Sequence, residues 1–232
     1  MQAPYIDLHT HLFSPDPSVW AVRNFHQQEK HQAEEFQGPI SIGLHPWFVE
    51  EGSWEADWQW LERESARKEV VAIGEAGLDR LQGPALSLQE EVFLRQIHLA
   101  EKCRKPLIIH CVRAWEELER VTRKADASIP MVLHGFQKNV AVLERFSDQG
   151  FYFSFGEALL KDGSTAQKAL CAAPVDRIFF ETDDGAHAIQ LIYEKAAALL
   201  NRELPEVQML IHSNYEKLNK WITGTGWPER NY

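Results

Sequence analysis

The stretch YIDLHTHLF, residues 5–13, carries two histidines one residue apart behind an apolar run. In a strand, side chains two positions apart share a face, so His9 and His11 reach one common point in space. Imidazole nitrogen suits zinc, manganese and iron, and a pair with this geometry is half of a metal site. The plain alternative is two histidines facing solvent or hydrogen-bonded in a core, and the remaining donors must come from elsewhere in the chain. Four further apolar runs end in such donors. VVAIGEAGLD contains Glu75, with Asp79 just beyond; PLIIHCV ends in His110, MVLHGF in His134, and RIFFETDD in Glu181, Asp183 and Asp184. One of these alone reads as a satisfied core polar group. Several converging acids and imidazoles with no ion between them would be costly to bury unpaired.

A zinc ion normally takes three or four protein ligands. His9, His11, Glu75, His110, His134 and Asp183 are too many for one ion that keeps an open position. Two ions bridged by Glu75 use them all and leave room for a water. Such a pair, about 3.5–4 Å apart, can hold a hydroxide and stabilise both attacking and leaving oxygens. The four imidazoles favour zinc, manganese or iron over a pure magnesium site, which prefers oxygen.

Elements must bring these residues together. Short apolar runs at 5–11, 19–25, 40–45, 70–75, 106–111, 131–135, 151–155 and 178–183 read as strands, with amphipathic stretches between them. Ser87-Leu-Gln-Glu90 has the form of a capping box opening a helix. Asn139 to Phe146 reads as another helix, stopped at Gly150, and Pro205 fits the first turn of the last long one. Eight strands alternating with helices across residues 1–232 predict a single α/β domain, a (β/α)8 TIM-type barrel with its chemistry at the C-terminal strand ends. A doubly wound open sheet is the alternative, but no glycine-rich dinucleotide turn is present.

Composition narrows the function classes. With 232 residues, 44% of them hydrophobic, the chain can build one large core. No run approaches the ~18 apolar residues of a membrane span. Asp7 and the two histidines interrupt the layout a secretion signal would need. Cys103, Cys111 and Cys171 form no CxxC pair, which favours reduced thiols and a cytoplasmic protein. A net charge of −10 argues against non-specific binding of nucleic acid by the whole surface. It does not prevent metal ions from holding a phosphate.

The segments DLHTHL, GLHP, IGEAGLD, IIH, LHGF and ETD, in this order, make the chain resemble the TatD-like metal-dependent hydrolases, among the amidohydrolase-type barrels. NYEKL, near the C-terminus, is similar to the closing asparagine segment of that family. The resemblance implies a distorted barrel, two divalent ions and hydrolysis of phosphodiesters in DNA, often from a free end. It implies that His9, His11 and Asp183 hold one ion, that Glu75 bridges, and that His110 and His134 hold the second. It further implies that Asp183 orients or deprotonates the attacking water and that His45 lies near the substrate phosphate. A histidine simply bonded at a strand end is the other reading of His45.

The departures concern the loops. The family's usual His-Ser-Arg-Asp-Ala is here His110-Cys111-Val112-Arg113-Ala114, and its Cys-Phe-Ser-Gly after the next histidine is Gly135-Phe136-Gln137-Lys138. After ETD the usual Ala-Pro gives way to Asp184-Gly185, and the chain is expected to pass straight into a helix near Ala186. Arg113 or Lys138 is expected to add a phosphate contact. Trp47 and Phe48 either stack a nucleobase or pack their loop on the barrel. His98 reads as packed or partly exposed on a helix, His26 and His31 as solvated, His187 as a surface residue at a helix start, and His212 as structural. Trp54, Trp58 and Trp60 read as helix-packing residues.

The expectation is a two-metal hydrolase (zinc foremost, manganese or magnesium also suitable) cleaving a phosphoester, with DNA or a small phosphoester as substrate. No membrane association and no obligate protein partner are expected. One rival is a hydrolase of the same barrel type acting on a lactone, amide or phosphotriester. Another is a catalytically silent barrel that binds a partner or stores metal, which would have no need for so many converging ligands.

Overall fold

The computed structural model describes residues 3–223, and the side chains of residues 3–219. Eight strands form one sheet in sequence order: β1 (Tyr5–Thr10), β2 (Val19–His26), β3 (Ile40–Gly43), β4 (Val70–Asp79), β5 (Leu107–Val112), β6 (Met131–Leu133), β7 (Tyr152–Phe155) and β8 (Ile178–Phe180). Every neighbouring pair is parallel. A parallel bridge between Thr10 and Asp183 brings the last strand's end back to the first. The result is a (β/α)8 TIM-type barrel, distorted in that β1 passes to β2 through a loop rather than a helix.

The helices are α1 (Lys30–Glu35), α2 (Trp54–Glu64), α3 (Leu86–Cys103), α4 (Trp115–Ala125), α5 (Val140–Ser147), α6 (Thr165–Ala172), α7 (Ile189–Leu200) and α8 (Leu204–Thr223). Strands covered on both faces must be apolar throughout, and β3, β6 and β8 are buried at every position. Phe153, Phe155, Phe179 and Phe180 are fully buried, each stabilising the fold by about 1.5–3 kcal/mol. At the N-terminal end of the barrel, Tyr215 and Leu218 of α8 lie against Leu8, Val22, Val71, Ile108 and Val132. Asn214 fixes α8 there by donating to the carbonyls of Val175 and Ile178, at 2.9 and 3.0 Å. The strand termini opposite are left for chemistry.

Local expectations divide. Asn139 caps α5, accepting from the Val142 N–H at 3.0 Å, and Pro205 is the second residue of α8. The capping box at Ser87 is not formed. Ala85 is the N-cap of α3, its carbonyl accepting from Leu88 and Gln89, and Ser87 lies inside the helix. The entry is held instead by Gln89, whose amide donates to the carbonyls of Asp79, Gln82 and Pro84. The helix expected near Ala186 starts at Ile189, because Gly185 N–H first closes a turn on the Thr182 carbonyl. No described helix is long and apolar enough to cross a membrane.

Candidate metal centre

The candidate donors meet at the C-terminal ends of the strands. The end of β1 lies beside the chain just after β8: Asp183 N–H donates to the His9 carbonyl at 3.0 Å, and His11 N–H to the Asp183 carbonyl at 3.1 Å. These two bonds fix His9, His11 and Asp183 as neighbours. Glu75 comes from the middle of β4, where the register with β5 shifts between Ile73 and Ala76. Gly74 and Gly77 flank it with φ of +131° and +149°. A Cβ on either would run into a backbone carbonyl of β5, that of Ile108 or His110. The close approach at this irregularity requires glycine on both sides and places Glu75 in the cluster.

Four distances define one candidate ion position. His9 Nε2 lies 3.5 Å from Glu75 Oε2 and 3.6 Å from Asp183 Oδ1; His11 Nε2 lies 3.6 Å from each. These are too long for hydrogen bonds. Donors about 2.0–2.1 Å from one tetrahedral ion stand about 3.3 Å apart, close to this spacing. Both ring nitrogens of the fully buried His9 lack a hydrogen-bond partner, a costly state unless an ion serves one of them. The donor set therefore fits a divalent cation. On the other side of the carboxylate, Glu75 Oε1 lies 2.6 Å from His110 Nδ1, 2.7 Å from His134 Nε2 and 3.2 Å from His45 Nε2. Each oxygen of one buried carboxylate thus faces its own imidazoles, but the two sets adjoin: the His9 and His134 rings are 4.5 Å apart, and His9, His134 and Asp183 also lie close enough to share an ion.

The electrostatics follow from this crowding. Burial pushes the Glu75 carboxyl up, but His134, His11 and His110 outweigh it and hold the group well below the usual range. Asp183 is drawn down to about 2 against the effect of its burial, mainly by His9 and His134. Burial and His134 push His9 down, yet the carboxylates of Asp183 and Glu75 bring it up to about 9. Both acids are therefore ionised, as ligands to cations must be.

Outer contacts hold these donors. Glu181, fully buried, accepts from Gly135 N–H at 2.5 Å and lies 3.4 Å from His134 Nδ1. Asp79 Oδ2 lies 3.1 Å from His110 Nε2. The sequence places both acids at strand ends without showing a partner, because the histidines they face come from other strands. His26 was also misread. It is half-buried rather than solvated, its ring 4.4 Å from Phe48 and 6.5 Å from His45, because Nδ1 accepts from Gln28 N–H and Nε2 pairs with Glu29 at 3.3 Å.

The expected substrate contacts are less uniform. His45 is buried, its Nδ1 accepting from Trp47 N–H at 3.2 Å while Nε2 faces Glu75. It is both a bonded strand-end histidine and part of the cluster. Trp47 is 39% exposed, its Nε1 donating to Asp79 at 2.6 Å. Phe48 packs against His26 and His45. Arg113 is exposed, with a φ of +51° and a carbonyl that accepts from Arg80. Lys138 Nζ lies 5.8 Å from the centre of the Trp115 ring. His31 and His98 are exposed, and His187 pairs with Glu157 at 2.8 Å on the surface. His212 is half-buried on α8, 3.6 Å from Glu216. Trp54 and Trp60 are buried in α2, and the Arg95 guanidinium lies over the rings of both Trp54 and Trp58.

Residues 21–220 match the protein family described as TatD related DNase. The chain belongs to this family. It is 33% identical over 146 residues to an uncharacterized metal-dependent hydrolase, YabD, of Bacillus subtilis, covering 62% of this chain and 57% of that protein. It is 29% identical over 187 residues to an uncharacterized metal-dependent hydrolase, TatD, of Mycobacterium tuberculosis, covering 72% and 69%. The alignment thus spans little more than half of the first relative. Among solved structures, the TatD homologue YJJV of Escherichia coli superimposes with a TM-score of 0.79 at 22% identity, over 92% of this chain and 97% of that one. The likeness supports the barrel assignment.

Proposed function

We propose that the protein is a divalent-metal-dependent hydrolase that cleaves phosphodiester bonds, in DNA and from a strand end. The observation that carries the reading is the set of four spacings of 3.5–3.6 Å among His9, His11, Glu75 and Asp183, with further imidazoles on the other oxygen of Glu75. His9, His11 and Asp183 would hold one ion, His110 and His134 the other, and Glu75 would bridge. Two ions bound there supply the charge that activates a water and neutralises the non-bridging phosphate oxygens; the imidazole-rich donors suit zinc or manganese, with magnesium also able to serve. Asp183 is partly exposed, ionised and at the mouth of the barrel, where it would accept a hydrogen bond from the attacking water and orient it or take its proton. In this reading His45 would contact the phosphate, Trp47 would offer its exposed ring to a base, and Arg113 or Lys138 would meet a neighbouring phosphate.

A second reading is a small-molecule hydrolase using the same centre on a lactone, amide or phosphotriester. The net charge of −10 favours it, since few cations are available to follow a strand. Purified protein with its metals quantified, assayed on single-stranded DNA, duplex DNA and a panel of small esters, separates the two. Cleavage of single-stranded DNA supports the first; rapid turnover of a lactone or amide with all DNA untouched refutes it.

A further inference from the structure

Asp79, the last residue of β4, is buried and has every oxygen engaged. Oδ1 accepts from the backbone N–H groups of Leu81 at 2.7 Å and Gln82 at 3.1 Å. Oδ2 accepts from the indole Nε1 of Trp47 at 2.6 Å and lies 3.1 Å from His110 Nε2. Its own backbone is clamped by Gln89, which accepts from the Asp79 N–H at 2.7 Å and donates to its carbonyl at 2.9 Å. The carboxylate cannot rotate away without breaking several of these bonds. One oxygen atom therefore joins two side chains far apart in sequence, one from the turn after β3 and one from within β5.

An ionised carboxylate only accepts, so the proton of His110 belongs on Nε2. Its other nitrogen, Nδ1, lies 2.6 Å from Glu75 Oε1, a hydrogen-bond distance, and an ion bound beside Glu75 would take the place of that bond. The Trp47 ring stands edge-on to its neighbours, 5.7 Å from His110 at 82° and 4.8 Å from His45 at 76°. Its remaining surface is open to solvent at the mouth of the barrel. Two donors on one acceptor atom compete: polarising or shifting one changes the bond to the other.

We infer that Asp79 is a positioning residue that couples ion binding at His110 to the orientation of the Trp47 ring on which a substrate base stacks. The inference rests on the metal-centre reading above and deepens it. Ion loading prepares the ring for the base, and by linkage a base on the ring tightens the ion. Trp47 touches no ion in this arrangement, yet it senses one.

The test is the indole N–H spectrum of the ¹⁵N-labelled full chain during titration of metal-free protein with zinc, the Trp47 signal being assigned by its loss in Trp47→Phe. The wild-type Trp47 proton should resonate downfield, as expected for a bond to a carboxylate, and move in step with ion binding. Asp79→Asn should shift it upfield, abolish its response to zinc and weaken ion affinity about 10- to 100-fold. Trp47→Phe keeps a stacking ring but drops the bond, and should change the affinity of one ion only. The inference is overturned if the histidine signals move with zinc while the Trp47 proton does not, or if Asp79→Asn binds zinc like wild type. If no signal moves at all, the metal-centre reading falls as well. Should Asp79→Asn fail to fold, the wild-type titration and Trp47→Phe decide alone.

Discussion

Replacing Glu75 with glutamine keeps the side chain's volume and removes the charge on which the whole cluster converges. In the structure five ring nitrogens, from His9, His11, His45, His110 and His134, lie 2.6–3.6 Å from its two oxygens. Because Oε2 faces one group and Oε1 the other, Glu75→Gln should weaken both proposed ion positions together, whereas His110→Ala should weaken one. Loss of a major electrostatic element of this kind costs at least about two orders of magnitude in rate, or about 2.7 kcal/mol of transition-state stabilisation. The metal-free protein offers an independent reading. The Glu75 carboxylate helps raise His9 to about 9 and His134 well above the ordinary histidine value, so both should titrate lower in the variant. The assays are metal content after dialysis, single-turnover hydrolysis and histidine titration by NMR. Wild-type turnover with both metals retained, or loss of one ion with the other untouched, refutes the bridging assignment.

Other consequences are more local. Trp47→Ala should slow hydrolysis of an oligonucleotide more than that of a small phosphodiester without a base, by the ~1–3 kcal/mol of one stacked base; equal slowing would assign Trp47 to packing alone. Binding of single-stranded DNA should show a shallow salt dependence, since the slope is about 0.7 per phosphate neutralised and Arg113 and Lys138 are the cations expected there; a steep slope in a salt titration would contradict this. Burial pushes the Lys105 amine down to about 8, although it donates to the carbonyls of Ser65 and Arg67. Between pH ~8 and ~10.5 the unfolded chain holds that proton and the native one does not, so stability rises with pH across this window, by up to about 3 kcal/mol. Urea melts of wild type and Lys105→Met should differ in that slope, and parallel profiles would refute the shift. Gly77→Ala should lower both stability and metal affinity, because its Cβ meets the His110 carbonyl; thermal melting and metal titration read the two effects.

The barrel was legible because a strand buried on both faces is written as an apolar run, and from β2 onward each such run was followed by a helical stretch. The donors at strand ends were legible for a related reason: a charged or imidazole group closing an apolar run is conspicuous. What escaped depends on contacts between segments far apart in sequence. Ser87 satisfies the local pattern of a cap, but Gln89 binds back to Asp79, Gln82 and Pro84 and starts the helix earlier. His26 sits in a polar stretch, and only the folding of β3 beside β2 puts Phe48 and His45 against it. Asp79 and Glu181 show no partner in the linear chain, since the histidine each one faces lies tens of residues away.

The most direct test of the account is the number of ions that full activity requires. Metal-free protein is titrated with zinc or manganese, and bound ions per chain are counted by elemental analysis alongside the rate of phosphodiester hydrolysis. The account predicts two ions per chain, activity abolished by a strong chelator, and recovery that follows filling of both positions. Full activity in protein shown to contain no metal would contradict it outright.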